Sequence, residues 1–186
     1  MASIVCETFL SPLGELVLGD FQGRLVMCDW SCRSNRILIY NRLCRKYSAS
    51  FRKGKSPLLE EAIYQIEEYF SGCRTAFTVP FTLDGTYFQS EVWHQVRRIP
   101  FGQRSTYSKI SRRLNVFDSK EKIKRALAAC PISIIIPTHR AICEDHKIND
   151  FAGFERTSIL LRNLESPLVN RRAMYASKAL EQACSS

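Results

Sequence analysis

A change of hydrophobic period near residue 85 divides this chain into two units and limits what each can fold into. Before it, apolar residues come in short runs separated by turn residues, with one helical stripe; after it, helical spacing dominates. Val5–Leu10 predicts a first strand and Ser11-Pro12-Leu13-Gly14 a turn, because Pro presets φ and Gly relieves it. Glu15–Gly19 predicts the returning strand, and Arg24–Trp30, opened by Gly23, a third. Ile37–Tyr40 is an apolar run of undecided type, and the basic, polar stretch Tyr47–Ser56 reads as a loop. Ser56-Pro57 starts a helix with Pro at its first position, and Leu58, Leu59, Ala62, Ile63, Ile66 and Phe70 give it one buried face before Gly72. A small sheet with a covering helix over residues 1–85 follows.

In the second unit, Phe88, Val92, Trp93, Val96 and Ile99 form a helical stripe that Pro100-Phe101-Gly102 breaks. Ser105 or Thr106 caps a helix over Tyr107–Leu114, and Asp118 or Ser119 caps another that runs through Ala129. A short helix, a turn and a basic second helix are the outline of a helix-turn-helix. Pro131 ends it. Ile132–Ile136 reads as a buried strand, Ala141–Cys143 with Ile148–Phe151 as a hairpin, and Glu155–Glu165 as a closing amphipathic helix. The expected fold is α+β, with a domain over 86–166 and a tail over 167–186.

Charge narrows the partner. The formal net charge is +9, which favours polyanions, nucleic acid before acidic membranes. Residues 86–166 carry fourteen Lys or Arg against eight Asp or Glu. No apolar run approaches the roughly 20 residues that span a bilayer, and the first residues lack a signal-peptide pattern. The eight cysteines therefore read as reduced thiols of an intracellular protein. Cys28, Cys32 and Cys44 lack the spacing of a zinc site, so neither metal nor cofactor is expected.

At Ile134-Ile135-Ile136-Pro137-Thr138-His139-Arg140-Ala141-Ile142 the chain resembles the active-site loop of O6-alkylguanine-DNA alkyltransferases, whose pattern is Pro-Cys-His-Arg and an apolar residue. The resemblance extends through Tyr87-Phe88-Gln89, Val92-Trp93, Ile99-Pro100-Phe101-Gly102, Thr106-Tyr107, Arg125-Ala126-Leu127-Ala128, Phe151-Ala152-Gly153, Leu160-Leu161 and Glu165. It covers 4–166, more weakly before residue 87. It implies a ribonuclease-H-like N-terminal domain and a C-terminal winged helix-turn-helix. That motif sits in the minor groove of double-stranded DNA, with the O6-alkylguanine flipped out, since a stacked base is out of reach of a nucleophile.

By the same resemblance Arg125 fills the vacated stack, Ala126 keeps its helix near the groove floor, and Tyr107 turns the target phosphate. Gln89, Thr106, Ser108, Arg112, Lys120, Lys124 and Arg140 contact DNA. Cys130, Pro137, Phe151, Ala152 and Gly153 line the lesion pocket. Localisation would be the nucleus in a eukaryote, or cytoplasm and nucleoid in a bacterium; the protein would be monomeric and pass lesions to excision-repair proteins.

The departures bear on chemistry. The family transfers the alkyl group to a cysteine that a histidine activates through water, with a glutamate orienting the histidine. Thr138 stands at that cysteine, and a hydroxyl lacks the fraction of anion that makes a thiol effective near neutral pH. The orienting glutamate aligns with Ser158 and the bracing asparagine with Cys130. The reading is a lesion binder without efficient transfer, not an enzyme unless another thiol serves. One alternative is transfer to Cys130 or to Cys143, the latter up to ~17 Å away along an extended chain at roughly 3.3 Å per residue. The other is a general DNA-binding module without lesion preference.

Overall fold

The structure, a computed structural model, describes residues 2–116, 119–144 and 155–166. Asp118, the expected strand Ile148–Phe151, the lining residues Phe151, Ala152 and Gly153, and the tail 167–186 lie outside the described residues.

Three strands form a meander: β1 (Ala2–Ser11), β2 (Gly14–Phe21) and β3 (Arg24–Trp30). Helix α1 (Arg36–Tyr47) then carries the chain to the opposite edge, where β4 (Ala49–Lys53) pairs parallel to β1 in the order β3-β2-β1-β4. Leu16 and Leu18 of β2 join the core beneath α2 (Pro57–Phe70), with Leu59, Ala62 and Ile66, while Val17 between them packs with Ile39 and Leu43 of α1. Alternation on a strand puts these sets on opposite faces, so the sheet is covered by a helix on each side rather than by one. The run Ile37–Tyr40 belongs to α1. The loop expected over Tyr47–Ser56 is overturned, because Ala49–Lys53 is β4. Ala49 and Phe51 turn in against the α1 core while Ser50 and Arg52 stay exposed, an alternation carried by only two apolar residues in a basic, polar stretch.

The second unit comprises α3 (Tyr87–Arg97), the two-residue strand β5 (Ser105–Thr106), α4 (Tyr107–Arg113), α5 (Lys120–Ala128), β6 (Ala141–Ile142) paired parallel with β5, and α6 (Glu155–Leu164). Thr86 and Gln89 form a capping box at α3. Thr106 caps α4, its hydroxyl accepting from Lys109 N, whereas Ser119 makes no side-chain cap at α5.

Residues 132–136 do not form the expected strand. Cys28 N donates to Pro131 O and Ser133 N to Cys28 O, after which the backbone folds into tight turns, Ile135 N to Ser133 O and Thr138 N to Ile136 O. Ile134 takes a φ of +67°. The run is apolar because it threads the core, not because it joins a ladder. One cluster of buried side chains includes Leu16, Trp30 and Leu59 of the first unit and Trp93, Ile123, Ile132 and Leu161 of the second.

Candidate functional site

Thr138–Arg140 forms a single 3-10 turn between Pro137 and β6, closed by Arg140 N donating to Pro137 O at 2.9 Å. Thr138 is half-buried, while Pro137, His139 and Arg140 are buried. The turn delivers two side chains to one carboxylate. His139 Nε2 lies 2.9 Å from Glu165 Oε1. Arg140 donates from Nε to Oε2 and from Nη2 to Oε1, both at 2.8 Å, and from Nη1 to Ile99 O at 2.6 Å. Tyr69 of α2 donates its hydroxyl to Oε1 at 2.8 Å, and Gly102 N donates to Oε2 at 3.2 Å. Gly102 has a φ of +74°, and a Cβ there would stand 3.0 Å from Glu165 O, so the turn after α3 admits no side chain at that place.

Electrostatics follow from this enclosure. Burial alone would raise the Glu165 carboxyl, but hydrogen bonds from His139 and Arg140 override it and hold the group at about 2. Burial depresses the His139 imidazole below its ordinary value, against the opposing hydrogen bond to Glu165. The pair is thus an ionised carboxylate and a neutral ring. With Nε2–H given to Glu165, Nδ1 keeps the lone pair and is the proton-accepting nitrogen. The expectation that Ser158 occupies the orienter's place is corrected: Glu165 meets the histidine. The position is set by where α6 ends against α2 and the turn at Gly102, which motif spacing across 144–155 does not reveal. A buried Glu at the end of an apolar helix face was the available signal, since such a carboxylate requires partners.

Arg140 is likewise not a DNA contact, because its guanidinium is spent on Glu165 and Ile99. Ala126 is buried, its carbonyl accepting from Trp93 Nε1 at 2.8 Å, so it faces the core instead of a groove floor. Gln89 closes the α3 cap, its Oε1 accepting from Thr86 N at 2.9 Å. Thr106 uses its hydroxyl as the α4 cap.

Glu144, missed in the sequence, gathers two candidates. Ser108 N donates to its Oε1 at 2.7 Å, and Lys120 Nζ is 3.5 Å from its Oε2. Burial pushes the Glu144 carboxyl up, but the Ser108 hydrogen bonds bring it down to about 2. Tyr107 is half-buried against the core, and burial followed by the neighbouring Cys143 thiol raises its phenol. Arg112, Arg113, Lys122 and Arg125 are exposed, and Lys124 is half-buried. These α4 and α5 cations share one pair of packed helices.

Cys130 is buried, and its thiol donates to Ile132 O at 3.3 Å, bracing the turn from within rather than lining an open pocket. Burial pushes that thiol up to about 12, so it offers almost no thiolate at neutral pH. The first unit supports the same stretch. Arg33 pairs with Asp29 at 2.7 Å and donates to the carbonyls of Cys130, at 3.1 Å, and Ala128. Asn35 reaches Ala128 O and Arg42 reaches Ala129 O, each at 2.9 Å.

Comparison with known proteins adds the relatives. Residues 87–166 match the sequence profile of the DNA-binding domain of 6-O-methylguanine DNA methyltransferase. The methylated-DNA–protein-cysteine methyltransferase of Methanosarcina acetivorans is 34% identical over 168 residues, covering 83% of this chain and 94% of that protein. That of Shigella flexneri is 32% identical over 172 residues, covering 88% and 96%. Among solved structures, the O6-methylguanine methyltransferase of Mycobacterium tuberculosis superposes with a TM-score of 0.72 at 26% identity, over 91% of this chain and 95% of that one.

Proposed function

Because the chain belongs to the methylated-DNA–protein-cysteine methyltransferase family, we propose that it binds DNA carrying O6-alkylguanine and does not transfer the alkyl group efficiently. One observation carries this: the half-buried residue ahead of an otherwise complete His139–Glu165 pair is Thr138. Transfer to sulfur needs a thiolate, which a cysteine with an ordinary pKa of about 8.5 supplies once a base assists it. A neutral imidazole does not ionise a threonine hydroxyl to a comparable degree. Attack at an alkyl carbon also gains nothing from the oxyanion stabilisation that makes Thr nucleophiles useful in acyl chemistry.

In this reading α4 and α5 act as a winged helix-turn-helix in the minor groove. Exposed Arg112, Arg113, Lys122 and Arg125 meet the backbone, and Arg125 replaces the flipped base. Tyr107, at the first position of α4, steers the target phosphate. Excision-repair proteins are the partners a binder of this kind would serve.

The alternative, an active protein with another acceptor, is favoured at Cys143 over Cys130. Cys143 is half-buried beside Tyr107, while Cys130 is sealed in the core. Incubation with duplex DNA bearing O6-[methyl-3H]guanine separates the two readings. The expected result is tighter binding to the lesion duplex than to its unmodified counterpart at matched salt, with no label on protein. Label on Cys143 would establish the alternative. Equal affinity for both duplexes would leave a general DNA-binding module, and Arg125→Ala is expected to abolish the preference.

A further inference from the structure

Between Trp30 and Leu59 the chain carries eight Arg or Lys and no Asp or Glu, while Glu60, Glu61, Glu67 and Glu68 are gathered on α2. The first unit is therefore electrically divided across its sheet: α1 is basic and the helix on the opposite face is acidic, while β4 sends Lys53 to the α1 side with Cys6 and Arg52 to the α2 side with Val5. Near-neutral totals hide this separation. Arg45, Lys46, Arg52, Lys53 and Lys55 are exposed. Helix α1 and strand β4 adjoin, with Tyr40 stacked on Phe51 at 3.8 Å between ring centroids, so Arg45, Lys46, Lys53 and Lys55 belong to one band, whereas Arg52 turns to the other face with Val5.

The band meets the end of α5. Arg33 donates to Cys130 O and Ala128 O, Asn35 to Ala128 O and Arg42 to Ala129 O. The Arg42 guanidinium also lies 5.9 Å from the Trp93 ring centre. Helix α1 is thus fastened to the C-terminal end of α5, the helix that carries Lys122, Lys124 and Arg125.

We propose that α1 and β4 form a second backbone-contacting surface, which grips the phosphates of the same DNA duplex beyond the footprint of α4 and α5. The proposal rests on the reading that α5 faces DNA. The surface contributes affinity and salt dependence without base discrimination, because contacts of this kind position a protein and carry no sequence information.

The test is the salt dependence of binding by the full chain, followed by fluorescence anisotropy on a long duplex of about 30 base pairs and a short one of about 12, at the length scale set by phosphate spacing. Wild type is compared with the four-fold variant R45Q/K46Q/K53Q/K55Q. On the long duplex the slope of log K against log salt is expected to become shallower by roughly 2 to 4, at about 0.9 for each phosphate no longer neutralised. On the short duplex it is expected to stay unchanged. The charge-conserving R45K is expected to keep the wild-type slope.

An unchanged long-duplex slope in the four-fold variant would overturn the proposal. So would loss of binding to phosphatidylserine vesicles with DNA binding intact, which would make the band a membrane-binding surface. The lesion preference, read as the ratio of the two affinities at one salt concentration, tells this failure from failure of the functional reading. A wild type without preference whose slope still falls in the variant keeps this surface and loses the lesion binder.

Discussion

Thr138 and Glu165 divide the site's chemistry between them. Glu165 accepts hydrogen bonds from Tyr69, Gly102, His139 and Arg140, so its charge is fully employed. Thr138, just ahead of His139, offers a hydroxyl and not a thiol. Thr138→Cys is expected to gain stoichiometric uptake of labelled methyl from O6-methylguanine DNA, and wild type is expected to take up none. Sulfur bonds the methyl carbon, the carbon–O6 bond breaks with its electron pair going to the base, and the thiol proton ends on guanine. Absence of uptake by a folded Thr138→Cys protein would show that the turn does not present residue 138 to the lesion.

Acid stability tests the same network. Glu165 is depressed in the fold to about 2 from an ordinary value of about 4.3. Its contribution is therefore present above the ordinary value and lost as pH falls through the folded one. His139 is also depressed, so its neutral burial begins to cost stability as pH falls below about 6.5. Thermal midpoints are expected to fall from about pH 6.5 downward and to steepen below about pH 4.3. Glu165→Gln is expected to lower stability by about 3–5 kcal/mol in urea unfolding at pH 7, because it leaves Arg140 buried without its anion, and to flatten the limb below about pH 4.3.

Among the elements, what shows in sequence is what repeats. β1, β2 and β3 are legible because each is a short run rich in apolar residues bounded by turn residues, although β3 is buried on both faces. α2 and α3 were legible from their stripes and from their caps at Ser56 and Thr86. Thr86→Ala removes the hydroxyl that accepts from Gln89 N, and a destabilisation of about 1 kcal/mol is expected, with helicity otherwise preserved by circular dichroism. β4 and residues 132–136 escaped the reading for opposite reasons. The edge strand turns in only Ala49 and Phe51, too short an alternation to stand out among basic residues, whereas the run at 132–136, four isoleucines around Ser133, is buried without being regular. Hydrophobicity reports burial, and only a period reports conformation.

For the molecule as a whole, the two units share one core cluster and a set of polar ties. Arg33, paired with Asp29 deep in the first unit, holds the carbonyls that end α5 in the second. Arg33→Met leaves Asp29 buried without its cation. A destabilisation of about 3–5 kcal/mol is expected, and wild type is expected to unfold in one transition seen alike by the fluorescence of Trp30 and Trp93 together and by far-UV circular dichroism. Two separated transitions in wild type would show that the units fold independently.

The sequence by itself determined the family, the α+β class, most of the strands and helices, and the threonine ahead of His139, since each is written in local residue types and their spacing. The tertiary structure decided which carboxylate serves His139, that Arg140, Ala126 and Gln89 are spent on the protein itself, and that the basic segment of the first unit lies against the end of α5. Those outcomes depend on which surfaces close over which side chains. A buried charge takes whatever partner the packing brings within about 3 Å, and for Glu165 that partner set is drawn from α2, the turn after α3 and the Thr138–Arg140 turn, segments that lie far apart along the chain.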